Sequence, residues 1–340
     1  MTQTVSTALR SAVARLTEAG VPSAAHDARE LMAAALTAAA REGNTSVSPV
    51  TPVTALDLVL RGGDPVPAAF DDLVERRAAR EPLQFILGVA PVVGVDLSVG
   101  PGVFIPRPET DLLIDVAAQE VAARDRRRRR DPLARALLTP QFTVVDFCSG
   151  PGTISLGLAH LVTKAGLADR LNLRIVGIER EATALEYAAR NLAGWRQRGD
   201  IDPRITVEFH PGDVTDPRVI TALGLVAGAD LVVSNPPYVP EGDNGDHVAA
   251  ADPEVRADPH EAVYSGPDGL SVMRDLAPVI AMTCAPHATV VVEHDDSTGA
   301  AVRDLLAEVG VGELVQHADF AGRDRFVTGR VRRDPGFQLQ

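Results

Sequence analysis

The chain is predicted to be an α/β protein: a seven-stranded, mostly parallel sheet covered by helices on both faces, preceded by an N-terminal helical bundle. Three observations predict it. From Phe142 onward, short apolar runs alternate regularly with helical segments, the pattern of βαβ units that pair in parallel. Before about residue 90 that alternation is missing, and Ala, Leu and Arg recur at three- and four-residue spacing instead. The last two apolar runs leave no room for a helix between them, so they should pair antiparallel.

The elements follow in chain order. Helices are expected over Val5–Ala19 and Ala24–Arg41, with Ser23 placed to cap the second. Asn44–Pro52, rich in Ser, Thr, Pro and Val, has loop composition, and a helix around Ala68–Ala79 ends near Arg80-Glu81-Pro82. Val92–Val99 alternates as a strand, Gly100-Pro101-Gly102 turns, and Val103-Phe104-Ile105 leads into Pro106-Arg107-Pro108-Glu109-Thr110. Pro108 and Glu109 stand where a helix running from Asp111 would begin, because its first turn favours proline and acidic residues. The Pro-Arg-Pro segment suits a stiff connector as well as a functional one. Arg124–Arg130 is expected to be a solvated loop between elements, with no interleaved aromatics on which bases could stack. Strands are expected at Thr143–Phe147, Leu173–Ile178, Ile205–Phe209, Asp230–Ser234, Ala288–Glu293, Leu314–Ala318 and Arg325–Arg330.

Composition narrows the functional classes. A length of 340 residues suffices for two domains, and 45% hydrophobic with 23% charged residues is ordinary soluble composition. The net charge of −13 argues against broad adhesion to nucleic acid or anionic lipid. Cys148 and Cys284 lie far apart, which speaks against a disulfide framework or zinc knuckle and suits a reducing interior. Residues 1–20 are amphipathic without the continuous apolar core of a signal peptide, and no segment is apolar enough to cross a bilayer. A cytoplasmic protein is expected. The histidines are scattered, and although Glu293-His294-Asp295-Asp296 looks like a metal cluster, neighbours on a strand end point in different directions. We therefore expect a structural role there, or one supporting the residues that meet the ligand, and no metal.

The chemistry is concentrated at strand ends. Leu231-Val232-Val233 runs straight into Ser234-Asn235-Pro236-Pro237-Tyr238. Two prolines remove two N–H donors and fix φ, so the local carbonyls stay available to a ligand. Asn235 adds a side-chain acceptor and Tyr238 a flat ring; together they suit a planar –NH₂ group. A strand that simply stops at a proline turn is the plainer alternative. Asp146 stands at the strand–loop junction of the first strand of the alternating region, and Cys148-Ser149-Gly150-Pro151-Gly152 follows, with glycines that allow close backbone approach and a helix starting at Thr153. Glu179, at the tip of the next strand, could accept both hydroxyls of a ribose, and Gly212-Asp213 after the third could accept an adenine amino group. Each acid singly could be a helix cap. Gly150-x-Gly152-x-x-Ser155 approaches a dinucleotide fingerprint but lacks its third Gly or Ala. A nicotinamide enzyme also needs a proton donor for its carbonyl substrate, and none stands out.

On these residues the chain resembles the HemK/PrmC family of protein-glutamine N5-methyltransferases, which modify class 1 peptide release factors. The resemblance spans nearly the whole chain: Asp27-Ala28-Arg29-Glu30-Leu31, Glu81-Pro82-Leu83-Gln84-Phe85-Ile86-Leu87-Gly88, Phe104-Ile105-Pro106-Arg107-Pro108-Glu109-Thr110, Ser234–Tyr238, Gly266-Pro267-Asp268-Gly269-Leu270 and Gly322-Arg323-Asp324-Arg325-Phe326. It implies a Rossmann-like class I methyltransferase sheet over 109–333, a β-hairpin or linker over 91–108, and a substrate-recognition bundle over 1–90. It implies S-adenosyl-L-methionine bound by Asp146, Cys148, Ser149, Gly150, Pro151, Gly152, Glu179, Asp213, Val214 and Asn235. It further implies that Asn235, Pro236, Pro237 and Tyr238, with Arg107, receive the substrate glutamine, the catalytic residues being Asn235, Pro236 and Tyr238. The glycine loop departs from the usual Asp-Leu-Gly-Thr-Gly at Phe147, Cys148 and Pro151, and Glu179 stands where Asp is common.

An amide nitrogen is a poor nucleophile because its lone pair is delocalised. The expected mechanism has the Asn235 side-chain oxygen and the Pro236 carbonyl accept its two hydrogens, while Tyr238 packs on the amide plane. Positioning and preorganised dipoles then carry the acceleration. The expected partner is a class 1 release factor, with no membrane or direct nucleic-acid partner, and the protein is expected to be a monomer. An adenine N6-methyltransferase on DNA or rRNA is the competing enzyme, and a non-catalytic partner-binding module the competing class. Acidic charge and the missing stacking platform speak against the former, the intact loops against the latter.

Overall fold

A computed structural model describes residues 3–43, 53–130, 141–241 and 253–332. The loop expected over Asn44–Pro52 lies outside the described residues. The chain divides into two units, Met1–Val89 with Asp252–Ala257, and Ala90–Ala251 with Asp258–Gln340.

The first unit is helical: α1 (Val5–Glu18), α2 (Ala24–Gly43), α3 (Ala55–Leu60), α4 (Phe70–Ala78) and α5 (Leu83–Leu87). The three- and four-residue spacing places Leu16, Leu31, Met32 and Phe70 in one fully buried cluster. A buried ion pair enters this unit's interior. Arg77 donates to Asp27 Oδ2 at 2.8 Å and to Glu254 Oε1 at 2.7 Å, so the buried guanidinium meets two carboxylates rather than apolar surface.

The second unit opens with a hairpin, β1 (Val89–Val92) and β2 (Val95–Ser98), where the sequence suggests one strand over Val92–Val99. The reason is a two-residue turn with positive φ at both Val93 (44°) and Gly94 (83°). Valine is poorly suited to that conformation, so the turn is invisible locally. Asp111 fixes it from a distance by accepting the Val93 N–H at 3.1 Å.

Helix α6 (Pro108–Arg130) begins at Pro108 and carries Arg124–Arg130 as its last turns, in place of the expected loop. Arginine is a strong helix former, and cations are favoured at a helix C-terminus. Asp125 is buried within the run, and Arg128 donates to the Arg170 carbonyl. The run is solvated, as expected, but helical.

The remaining elements are β3 (Gln141–Phe147), α7 (Thr153–Lys164), β4 (Asn172–Glu179), α8 (Ala182–Arg198), β5 (Thr206–Pro211), α9 (Pro217–Ala222), β6 (Ala229–Ser234), a 3-10 turn (Pro253–Ala257), α10 (His260–Val263), α11 (Ser271–Thr283), β7 (Cys284–Glu293), α12 (Gly299–Glu308), β8 (Val311–Ala318) and β9 (Asp324–Val331). The seven-stranded sheet runs β5-β4-β3-β6-β7-β9-β8. Five strands are parallel, and β9 inserts antiparallel between β7 and β8. Each expected strand is present, extended by a few residues at most ends. Fully buried Val, Ile and Leu on the central strands form its core.

Register then decides what meets at the sheet's carboxyl edge. Phe147 pairs with both Ile178 and Ser234, and Ser234 pairs with Val292. One step beyond, Cys148, Glu179, Asn235 and Glu293 therefore stand side by side. The order reverses at β3, whose neighbours are β4 and β6, and this switch point is where open α/β sheets bind ligands.

Candidate active site at the carboxyl edge of the sheet

The loop after β3 is a tight backbone cradle. Cys148, Gly150 and Gly152 all have positive φ (58°, 54° and 93°). Below it lies the Phe209 ring from β5. A Cβ on Gly177 would come within 2.5 Å of that ring and one on Gly152 within 3.0 Å, so both positions exclude larger residues. Asn191 ties the loop to the hairpin by donating to the carbonyls of Pro151 (3.0 Å) and Ser98 (3.1 Å). A Cβ at Gly150 would meet nothing within 4 Å, so that face of the loop is open.

Four acceptors surround the cradle. Asp146 is fully buried, and its Oδ2 accepts from the Ser155 N–H (3.0 Å) and Oγ (2.6 Å). Its Oδ1 is buried without a partner, as is the neighbouring Ser149 Oγ. Burial pushes the Asp146 carboxyl up to about 7, against the two bonds from Ser155 and with a further push from the Glu179 charge. The Glu179 carboxylate accepts the N–H groups of Gly150 (2.8 Å), Arg180 (2.8 Å) and Glu181 (2.9 Å). Asp213 Oδ1 accepts from the Thr215 N–H and hydroxyl, and Val214 beside it is buried. An orphaned buried carboxylate oxygen beside further acids suits a ligand bearing a cationic group. Loss of solvent and the Glu179 and Asp146 charges push the Cys148 thiol up, so it stays protonated and is no nucleophile.

The loop after β6 continues the edge. Ser234 Oγ donates to the Phe147 carbonyl at 2.9 Å and ties the two strand ends together. Asn235 Nδ2 donates to Thr110 Oγ1 at 3.5 Å, and Asn235 Oδ1 has no partner among the described residues. Thr110 donates in turn to Glu293 Oε2 (2.9 Å), while Tyr238 Oη donates to Glu293 Oε1 (3.3 Å). Desolvation, with the Glu293 charge, pushes the Tyr238 phenol well up, so it acts as a hydrogen-bond donor and not as a base. Two other sequence segments shape this loop. Val239 bridges to Tyr264 through 2.9 Å bonds with the Val263 carbonyl and the Ser265 N–H, and Gly269 packs against the Tyr238 carbonyl.

Arg107 hydrogen-bonds outside the Asn235–Glu293 chain, although its charge acts on Tyr238. It donates to Asp258 Oδ2 (2.5 Å) and stacks over Phe104, while Asp258 Oδ1 accepts the Ile105 N–H. The 104–107 segment is thereby anchored. Sequence reasoning gives Glu293 a structural or supporting role without naming its partners, and includes Thr110 only within a motif. The signal available is a carboxylate at the tip of a buried strand, which register places beside Asn235. His294, next in sequence, faces Asp295 O and Gln316, so the acidic run does not converge. No metal-holding group of His, Cys, Asp or Glu occurs among the described residues. None of the helices there is long and apolar enough to span a membrane.

The PrmC N-terminal domain family model matches residues 7–88. A release factor glutamine methyltransferase from Corynebacterium glutamicum is 41% identical over 329 residues, covering 96% of this chain and 99% of its own. One of the same name from Mycobacterium tuberculosis is 37% identical over 328 residues, covering 96% and 91%. Another, from Streptomyces coelicolor, is 35% identical over 322 residues, covering 94% and 95%.

Proposed function

The chain belongs to the release factor glutamine methyltransferase family, and from that premise we propose that it methylates the side-chain amide nitrogen (N5) of the Gly-Gly-Gln glutamine in class 1 peptide chain release factors. S-adenosyl-L-methionine is the cofactor; when bound, it supplies a methyl group on a sulfonium and retains the electron pair of the broken S–C bond as a thioether. The observation that carries the proposal is Asn235. Its amide nitrogen is occupied by Thr110, and its oxygen is left without a partner among the described residues, beside the glycine cradle.

The chain's residues fit both ligands. The buried Asp146 Oδ1, without a partner beside the cradle, and the Glu179 and Asp213 carboxylates at the adjoining strand ends support the binding of a cationic group there. Asn235 Oδ1 and the Pro236 carbonyl accept the two hydrogens of the glutamine amide, which localises the nitrogen lone pair. Tyr238, its hydroxyl anchored on Glu293, packs on the amide plane. As the N–C bond forms, the nitrogen becomes acidic and one proton leaves to water, so no dedicated base is needed. The experiment is mass spectrometry of a release factor incubated with the enzyme and cofactor. One added methyl on the Gly-Gly-Gln glutamine is expected; methyl transfer to nucleic acid instead defeats the proposal.

Because the folded-state carboxyl of Asp146 is raised to about 7, it is increasingly protonated as pH falls through that value. A neutral Asp146 loses its attraction for a cation, so cofactor affinity should drop on the acid side of about 7 and plateau above it. Calorimetric titration across that range tests this, and a flat affinity rejects it. Glu179→Ala removes an acceptor and frees the Gly150 N–H of the cradle together with the Arg180 and Glu181 N–H groups after β4. Cofactor Kd should rise about 10- to 100-fold, measured by the same method; unchanged affinity leaves Glu179 a cap only.

A further inference from the structure

Hydrogen-bond direction runs one way through the chain Glu293–Thr110–Asn235. An ionised carboxylate can only accept, so Thr110 must point its single hydroxyl hydrogen at Glu293. The Thr110 oxygen is then left only lone pairs, and Asn235 must offer it Nδ2 rather than Oδ1. The second Glu293 oxygen takes the Tyr238 hydroxyl in the same way. We propose that Glu293 is a positioning residue: its carboxylate, acting through Thr110, turns the Asn235 oxygen toward the substrate amide and fixes Tyr238 beside it. The inference rests on the methyl-transfer reading above and adds to it the group that sets the orientation of the acceptor.

A protonated Glu293 breaks the directionality. It can donate to Thr110, whose hydroxyl is then released to donate to Asn235 Oδ1, and the amide turns its nitrogen outward. A pocket lined by donors repels the hydrogens of a glutamine amide. Glu293 is 2% exposed, and burial with the nearby Glu109 charge pushes it up to about 7, against its bonds from Thr110 and Tyr238 and the Arg325 charge. The charged and titratable groups facing it are thus Glu109 from α6, Tyr238 from the loop after β6 and Arg325 from β9. Arg107 and Asp295 act on Tyr238. The His294 ring faces away.

The test is kcat for release-factor methylation at saturating cofactor and protein substrate, with cofactor Kd measured in parallel. Wild-type kcat should fall about tenfold per pH unit below about 7, and Glu293→Gln should lower the plateau and abolish that acid limb. Thr110→Val, near-isosteric and without a hydroxyl, should lose about 10²-fold in kcat with unchanged cofactor affinity. Thr110→Ser, which keeps the hydroxyl, should recover most of the loss. Unchanged cofactor affinity also reports that each variant is folded. A wild-type enzyme active on the release factor but without an acid limb in kcat, or a Thr110→Val variant as fast as wild type, overturns the inference alone. Absence of product from the wild type overturns the methyl-transfer reading and the inference with it.

Discussion

Replacing Asn235 by alanine is expected to lower kcat for methyl transfer by about 10²- to 10³-fold, the range measured when one preorganised polar group at a reacting centre is removed. The Asn235 oxygen is the acceptor without a partner that the edge of β6 offers a substrate amide, and an alanine methyl group offers none. The Pro236 carbonyl remains, so some positioning survives. Cofactor Kd should change by less than about threefold, because the cradle of residues 148–152 and its acids are untouched. Single-turnover transfer to release factor, with calorimetry for the cofactor, separates the two effects. Near-normal turnover in the alanine variant removes Asn235 from the chemistry.

Gly269→Ala is the second large effect, at a residue that contacts no reacting group. Gly269 has φ of 74°, and a Cβ there would lie 2.3 Å from the Tyr238 carbonyl oxygen and 3.2 Å from Pro240 Cδ. The obstacle is backbone, which cannot swing aside as a flexible side chain can. Either the 235–240 loop or the 266–270 turn must therefore move. A displacement of about 1 Å at a reacting centre costs about 10²-fold in rate, so a loss of that size in kcat is expected. The strained φ adds about 1–2 kcal/mol of destabilisation, visible as a lower Tm. Cofactor affinity should persist, since the glycine cradle lies on another strand end. A variant with wild-type kcat would show that the Gly-Pro-Asp-Gly segment does not set the loop.

The fold was largely legible because the sheet announces itself locally. Each central strand is a short, largely apolar run, and the loop lengths between runs allow helices. The two misread elements share a cause. The Val93-Gly94 turn needs a positive φ that valine resists, and it exists because Asp111, distant in sequence, holds the Val93 N–H. The arginine run looks like a solvated loop by charge. Asp125 is buried there, and Arg128 reaches the Arg170 carbonyl in the turn before β4.

The strand-end groups were visible as residue types: an acid after each early strand, a glycine loop, an Asn-Pro-Pro-Tyr stop. Their partners were not. Thr110 stands within a motif and Glu293 within an acidic run that resembles a metal site, and neither signals a hydrogen bond to the other across 183 positions. Asp258 looks unremarkable in sequence, yet it is the carboxylate that anchors Arg107 and the Ile105 N–H.

The sequence by itself determined which chemistry is on offer and at which strand ends, because periodicity and backbone stereochemistry act over a few residues. Only the tertiary structure decided which way each polar group faces. Hydrogen-bond direction depends on a partner delivered by the register of β3, β6 and β7, and register is a property of the packed sheet that no local window contains.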